Sequence, residues 1–84
     1  MIRANIVITL KKSVLDPQGI TLKQALHSLG DNQVENVRVG KFIQLMLKEN
    51  NLDTAKTQVE RMCQKLLANL VIEEYSYELE VVKE

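Results

Sequence analysis

Residues 2–10, IRANIVITL, put Ile2, Ala4, Ile6, Ile8 and Leu10 on one parity and Arg3, Asn5 and Thr9 on the other, with Val7 the exception. Side chains of an extended chain point alternately to opposite faces, so this period of two, rich in β-branched residues, predicts a half-buried strand. Such a strand needs neighbours and a cover, and 84 residues must supply both. A chain of this length is expected to form one domain, residues 1–84, with little room for a second core. It buries only roughly 60–65% of its unfolded surface, which makes a lone monomer marginal. Aromatic residues are 4% of the chain, hydrophobic residues 45%, and Trp is absent, so the core must be built from Ile, Val, Leu and Met.

The stretch VLDPQG, residues 14–19, followed by KQALHSLG, residues 23–30, reads as the start and stop of a helix. Asp16 can accept from the first free N–H groups, and Pro17 fits the first helical position. Leu22, Ala25, Leu26 and Leu29 recur at helical spacing, and Gly30 suits a left-handed closing residue. The helix is expected over about residues 17–29. Gly19 lies in its first turn, where it costs roughly 1 kcal/mol relative to Ala unless a neighbouring backbone must come close.

Residues 34–48, VENVRVGKFIQLMLK, form the second β region, with Val37, Val39, Ile43, Leu45 and Leu47 sharing parity. A two-residue turn at Gly40-Lys41 would mix the faces. A three-residue loop over 40–42, or one long strand bent at Gly40, would keep them. The lack of an Asn-Gly or Asp-Gly pair favours the long bent strand. A polar turn follows, with Asn51 and Asp53 as candidate caps. Leu52, Ala55, Val59, Met62, Cys63 and Leu66 then trace one face of a second helix, over about 52–68. The last strand begins near Val71, with Tyr75, Tyr77, Leu79 and Val81 on one side and Glu74, Ser76, Glu78 and Glu80 on the other. The order is β-α-β-α-β, or β-α-β-β-α-β if Gly40 marks a hairpin. Both give an α+β sandwich related to the ferredoxin-like plan, with an antiparallel-rich sheet and two helices on one face. Phe42 and Met46 stand on the parity opposite to Ile43 and Leu45, so this strand is apolar on both faces. One face can cover the chain's own helices while the other meets a second subunit, which predicts an oligomer.

Lys+Arg and Asp+Glu number 11 each, so the formal net charge is zero. Phosphate neutralisation drives nucleic-acid affinity, and this balance argues against that class. Cys63 is the sole cysteine, which precludes an internal disulfide and points to a reducing, cytoplasmic setting. No apolar run approaches the ~20 residues of a membrane span, and the alternating start is unlike a signal peptide. His27 and Cys63 lack the partners that acid–base or nucleophilic catalysis requires, and they fall short of a metal site. Cys63 reads as a small buried hydrophobe and His27 as a residue at a helix end or subunit contact. Gly19 and Gly40 match no phosphate-loop pattern. The basic pairs Lys11-Lys12 and Arg38/Lys41 read first as solvated surface. The last strand is acidic through Glu73, Glu74, Glu78, Glu80 and Glu84, and the first is basic through Arg3, Lys11 and Lys12. If the strands are neighbours or partners, each such pair helps register by roughly 0.2–1 kcal/mol.

Four blocks in order carry a resemblance that spans nearly the whole chain: Leu15-Asp16-Pro17-Gln18-Gly19, Ala25-Leu26-His27-Ser28-Leu29-Gly30, Val37-Arg38-Val39-Gly40-Lys41 and Cys63-Gln64-Lys65-Leu66-Leu67-Ala68-Asn69. They resemble the PurS family, the small subunit of phosphoribosylformylglycinamidine synthase. The resemblance implies a place in purine biosynthesis. There the whole complex converts formylglycinamide ribonucleotide, glutamine and ATP into formylglycinamidine ribonucleotide, glutamate, ADP and phosphate. It also implies a glutaminase subunit that releases ammonia and a large synthetase subunit that holds ATP and Mg. The small subunit joins the two, assists ammonia transfer, holds no cofactor or catalytic residue, and forms a dimer or dimer of dimers. The loop Lys11–Gly19 and the bend Arg38–Lys41 match the family although the core does not demand them. Lys11, Lys12, Asp16, Gly19, Arg38, Gly40 and Lys41 are therefore expected at the contacts with the larger subunits. Gly19 would permit close backbone approach, and Arg38 would pair with a partner carboxylate.

Two other classes fit the fold. A regulatory ferredoxin-like module would bind amino acids or nucleotides in a polar pocket between subunits. An RNA-binding domain would stack bases on exposed sheet aromatics, but Tyr75 and Tyr77 fall on the expected inner face and leave only Phe42.

Overall fold

A computed structural model describes residues 1–83; Glu84, counted above with the acidic strand, lies outside the described residues. The order is β1 (Ile2–Leu10), α1 (Pro17–Ser28), β2 (Gly40–Leu47), α2 (Leu52–Met62), a wide helical turn (Cys63–Leu67) and β3 (Glu73–Val81). The α+β class and the β-α-β-α-β order are as expected. The three strands form one antiparallel sheet in the order β2-β1-β3.

β1 is the middle strand, and its alternation sets both registers. Ile2, Ala4, Ile6 and Ile8 sit opposite Leu47, Leu45, Ile43 and Lys41 of β2 and opposite Val81, Leu79, Tyr77 and Tyr75 of β3. All four β1 residues are fully buried, and burying each isoleucine stabilises the fold by roughly 1.5–3 kcal/mol. On the opposite face the exception in the pattern, Val7, is exposed and pairs with Phe42. There Arg3 Nε donates to Glu80 Oε1 at 2.6 Å across the β1–β3 pair. Asn5 accepts from Gln44 Nε2 at 2.9 Å across the β1–β2 pair. The charge opposition between first and last strand is thus a direct cross-strand contact.

α2 starts at Asn51, whose side chain accepts from the N–H groups of Asp53 and Thr54 at 2.9 and 3.2 Å. Ala55, Val59 and Cys63 are buried at a spacing of four. The next buried residue is Ala68, five further on, because its N–H bonds to the Cys63 carbonyl at 3.0 Å in a wide turn. That extra residue per turn rotates the apolar face. Leu67 meets the core, and Leu66, expected there from uniform spacing, is 83% exposed. The last strand accordingly begins at Glu73 rather than Val71.

Two expectations are corrected. The second β region is neither a hairpin nor one strand over 34–48. Pairing begins at Gly40, opposite Thr9, and residues 34–39 run past the end of β1 with no strand beside them. Only one helix covers the sheet: α2 lies over β1 and β3, while α1 contributes nothing to the core cluster.

Glu60 of α2 accepts hydrogen bonds from both inner-face tyrosines, Tyr75 Oη at 2.6 Å and Tyr77 Oη at 2.8 Å. Buried phenols need a partner, and one carboxylate has room for two. The two donors hold the Glu60 carboxyl below its usual range. Burial and the Glu60 bond push the Tyr77 phenol up to about 12. An unfolded tyrosine titrates near ~10, so the stability this phenol contributes is whole below ~10. It is lost as pH climbs through the folded value of about 12. Tyr77→Phe is expected to lower stability at neutral pH by about 1 kcal/mol and to flatten this alkaline limb, as read from urea unfolding at neutral and strongly alkaline pH.

Candidate functional site

Because β1 and β2 are antiparallel, the end of β1 and the start of β2 meet at one end of the sheet, with the start of β3 beside them. All seven expected contact residues lie at or next to that end. Asp16 is the node. Its backbone is extended, as a helix cap requires, and Pro17 follows at the first helical position. Oδ1 accepts from the Gly19 N–H at 3.0 Å, and Oδ2 accepts from the Val39 N–H at 2.8 Å. These bonds, Val39 first, hold the Asp16 carboxyl below its usual range, with the Arg38 charge adding to them. One side chain therefore caps α1 and ties it to the segment that leads into β2.

The two glycines follow from this closeness. A Cβ on Gly19 would stand 2.1 Å from the Val37 carbonyl oxygen, and one on Gly40 would stand 2.4 Å from that of Ile8. The expected close backbone approach at Gly19 is real, but the neighbour is Val37 of the same chain. Asp16, Gly19 and Gly40 are thus accounted for by internal packing.

The cations have a different setting. Lys12 and Arg38 line an open groove of about 620 Å³ together with Asp16 and the apolar Leu15, Ile20 and Val37. Leu15 is 71% exposed. Lys41 lines a smaller adjoining recess with Asp16, Gly40 and Glu73. Arg38 Nη1 comes no closer than 4.0 Å to Glu74 Oε1, whereas Lys41 Nζ lies 3.5 Å from Glu73 Oε2. Lys12 has no carboxylate within ion-pair distance among the described residues. Lys11 is placed by its backbone, whose N–H bonds to the Ile72 carbonyl at 2.8 Å. The groove thus gathers Lys12, Asp16 and Arg38, the recess gathers Asp16, Gly40 and Lys41, and Lys11 and Gly19 stand outside both.

His27 and Cys63 have structural surroundings. His27 Nε2 lies 2.8 Å from the Val34 carbonyl, which can only accept, so this nitrogen carries the proton. The bond ties the end of α1 to the start of the 34–39 segment. Gly30, at φ 100°, is the left-handed residue that ends the helix. Cys63 is buried, and burial pushes its thiol up, away from the thiolate a nucleophile needs. No three His, Cys, Asp or Glu residues converge as a metal site among the described residues, and no helix is long and apolar enough to cross a membrane. The arrangement suits recognition: a groove with two cations and apolar side chains along it.

The PurS family model, described as phosphoribosylformylglycinamidine (FGAM) synthase, matches residues 3–81. The Bacillus subtilis protein named phosphoribosylformylglycinamidine synthase subunit PurS is 46% identical over 82 residues, 98% of this chain and 96% of that one. The crystal structure of Methanocaldococcus jannaschii PurS is described as one of the subunits of formylglycinamide ribonucleotide amidotransferase in the purine biosynthetic pathway. It superposes with a TM-score of 0.88 at 43% identity, over 99% of this chain and 100% of that one. A chain of the Thermotoga maritima PurLQS structure superposes with a TM-score of 0.84 at 28% identity, over 95% and 99% of the two chains.

Two substitutions test the node. Gly19→Ala drives a methyl group into the Val37 carbonyl and is expected to lower stability by about 1–3 kcal/mol, read from the urea midpoint. Asp16→Asn leaves one acceptor for two donors, so Val39 amide exchange should quicken while that of the β1 amides stays slow. In the unsubstituted chain the Asp16 contribution is whole above its ordinary range. It should fade as pH falls through the lowered folded value.

Proposed function

The chain belongs to the PurS family and is a subunit of phosphoribosylformylglycinamidine synthase in purine biosynthesis, and from that premise we propose that it acts without a catalytic site of its own, as the bridge between the glutaminase and synthetase subunits. A Thermotoga maritima relative solved in a PurLQS structure supports this reading. On it, ATP and Mg belong to the large subunit and the complex works in the cytoplasm. The observation that carries the proposal is the pairing of two cations, Lys12 and Arg38, in one groove that Asp16, bonded to the Val39 N–H, also lines.

The chemistry asks for such a bridge. Ammonia attacks only while unprotonated, and in neutral bulk water it becomes ammonium. A subunit that holds the releasing and consuming sites together and excludes water between them preserves the nucleophile. The residues that do so need shape and charge, because no bond is made or broken on them. Lys11, Lys12, Arg38 and Lys41 supply the charge, and Asp16, Gly19 and Gly40 hold the backbone that presents it.

The test is Lys12→Ala with Arg38→Ala in the reconstituted complex, comparing glutamine-dependent with ammonia-dependent turnover. The expected result is a loss of about tenfold in the glutamine-dependent rate at limiting small subunit, the worth of one charge-assisted hydrogen bond. The ammonia-dependent rate should fall less. Unchanged rates in both assays would refute the contact.

A further inference from the structure

Arg38 is half-buried, its side chain 26% exposed, yet its charge is poorly answered. A guanidinium carries five N–H donors in one plane, and partial burial removes water that would otherwise serve them. The carboxylates around it are engaged or distant. Asp16 spends Oδ1 on the Gly19 N–H and Oδ2 on the Val39 N–H. Glu74 Oε1 stands 4.0 Å from Arg38 Nη1, beyond hydrogen-bond range. Lys12, in the same groove, has no carboxylate within ion-pair distance among the described residues. Beside these two cations the groove also presents Leu15 and Ile20, both exposed, and Val37. A bare anion such as phosphate would use the cations and leave the hydrocarbon wet. A peptide segment uses both, and exposed apolar groups rimmed by charge are the surface such a segment covers.

We propose, resting on the reading above that this groove meets a larger subunit, that its occupant is a segment of that subunit in which a carboxylate side chain adjoins a branched aliphatic one. The carboxylate takes Arg38 through two parallel N–H···O bonds, and Lys12 supplies a second charge beside it. The aliphatic side chain packs on Leu15 and Ile20. Glu74 is then an internal stand-in for the partner's acid. At 4.0 Å it holds Arg38 only loosely, and an exposed pair of that kind is worth little. Arg38 exchanges a distant carboxylate for a close one, so the free chain keeps its guanidinium answered in part and still available.

The direct test places a benzophenone side chain at the exposed Leu15 position and cross-links it by light in the complex reconstituted with both larger subunits. Mass spectrometry then maps the attachment point. The expected result is attachment to a larger subunit next to an Asp or Glu. Attachment away from any acidic residue, attachment to a second copy of this chain, or no attachment would overturn the proposal. Titration of this chain into the larger subunits gives a second readout. Arg38→Lys keeps the charge without the paired donors and should weaken assembly about tenfold, whereas Lys12→Arg should change it by less than about twofold. Glu74→Gln should tighten assembly about threefold, and only while Arg38 is present. No gain, or a gain that persists beside Arg38→Ala, would overturn the exchange. The occupant can fail by itself: if Lys12→Ala with Arg38→Ala slows glutamine-dependent turnover but the cross-link lies away from any acid, the contact stands and the acidic segment falls. Unchanged turnover removes the contact itself.

Discussion

The structure depends on one carboxylate. Asp16 accepts from Gly19 within its own helix and from Val39 on the approach to β2, joining two parts of the chain that are 23 residues apart in sequence. A helix cap alone would fix only where α1 begins. The second bond fixes where α1 lies, and the consequences follow in order. The backbones of the first turn and of Val37 come close enough that only glycine fits at position 19. Residues 36–38 become one wall of the groove in which Lys12 and Arg38 stand. α1 is tied to the segment over 34–39 and adds nothing to the core cluster.

The sheet rests on a simpler constraint. β1 is central, and its isoleucines are buried by both neighbours, so a slip of one residue would carry Ile2, Ile6 and Ile8 to the outer face. The polar contacts on that outer face, Arg3 with Glu80 and Gln44 with Asn5, are matched to the same register. Their individual worth is small, but they penalise the alternatives. The Glu60–tyrosine bonds do the same for α2, by anchoring a helix through oxygen atoms on a face otherwise made of hydrocarbon.

What the sequence made legible was whatever depended on neighbours along the chain. The bounds of β1, the cap at Asp16, the first-turn Pro17, the closing Gly30 and the cap at Asn51 all follow from local chemistry. Period and parity also placed Cys63 and both tyrosines inward. The misreadings share a cause. Residues 34–39 carry the pattern of a strand, but a strand exists only where a neighbour pairs with it, and β1 ends at Leu10. α1 has the spacing of a covering helix, yet its start is bonded to Val39 and it adds nothing to the core cluster, and nothing local encodes that bond. Uniform spacing points Leu66 inward, and the wide turn at Ala68 interrupts that spacing. Glu60 carries a signal in the sequence as well: two inward tyrosines must find acceptors, and a glutamate on the facing helix supplies one. At the site, the seven residues expected at subunit contacts come from two stretches of the chain that the fold brings to one end of the sheet. Three of them hold backbone together, which residue type alone does not separate from a contact role.

The acidic strand has a further consequence for the cell that makes this chain. β3 is an edge strand, and an edge with unpaired backbone groups is a template on which other chains can stack without limit. Glu73, Glu74, Glu78 and Glu80 place negative charge at nearly every second position along it, so two such edges brought together would repel along their whole length. β2, the other edge, carries one charged residue, Lys41, between Gly40 and Leu47. The two margins of the sheet therefore differ in stickiness. Growth into amyloid-like fibres needs both margins to be adhesive, and here the acidic one acts as a gatekeeper that ends it.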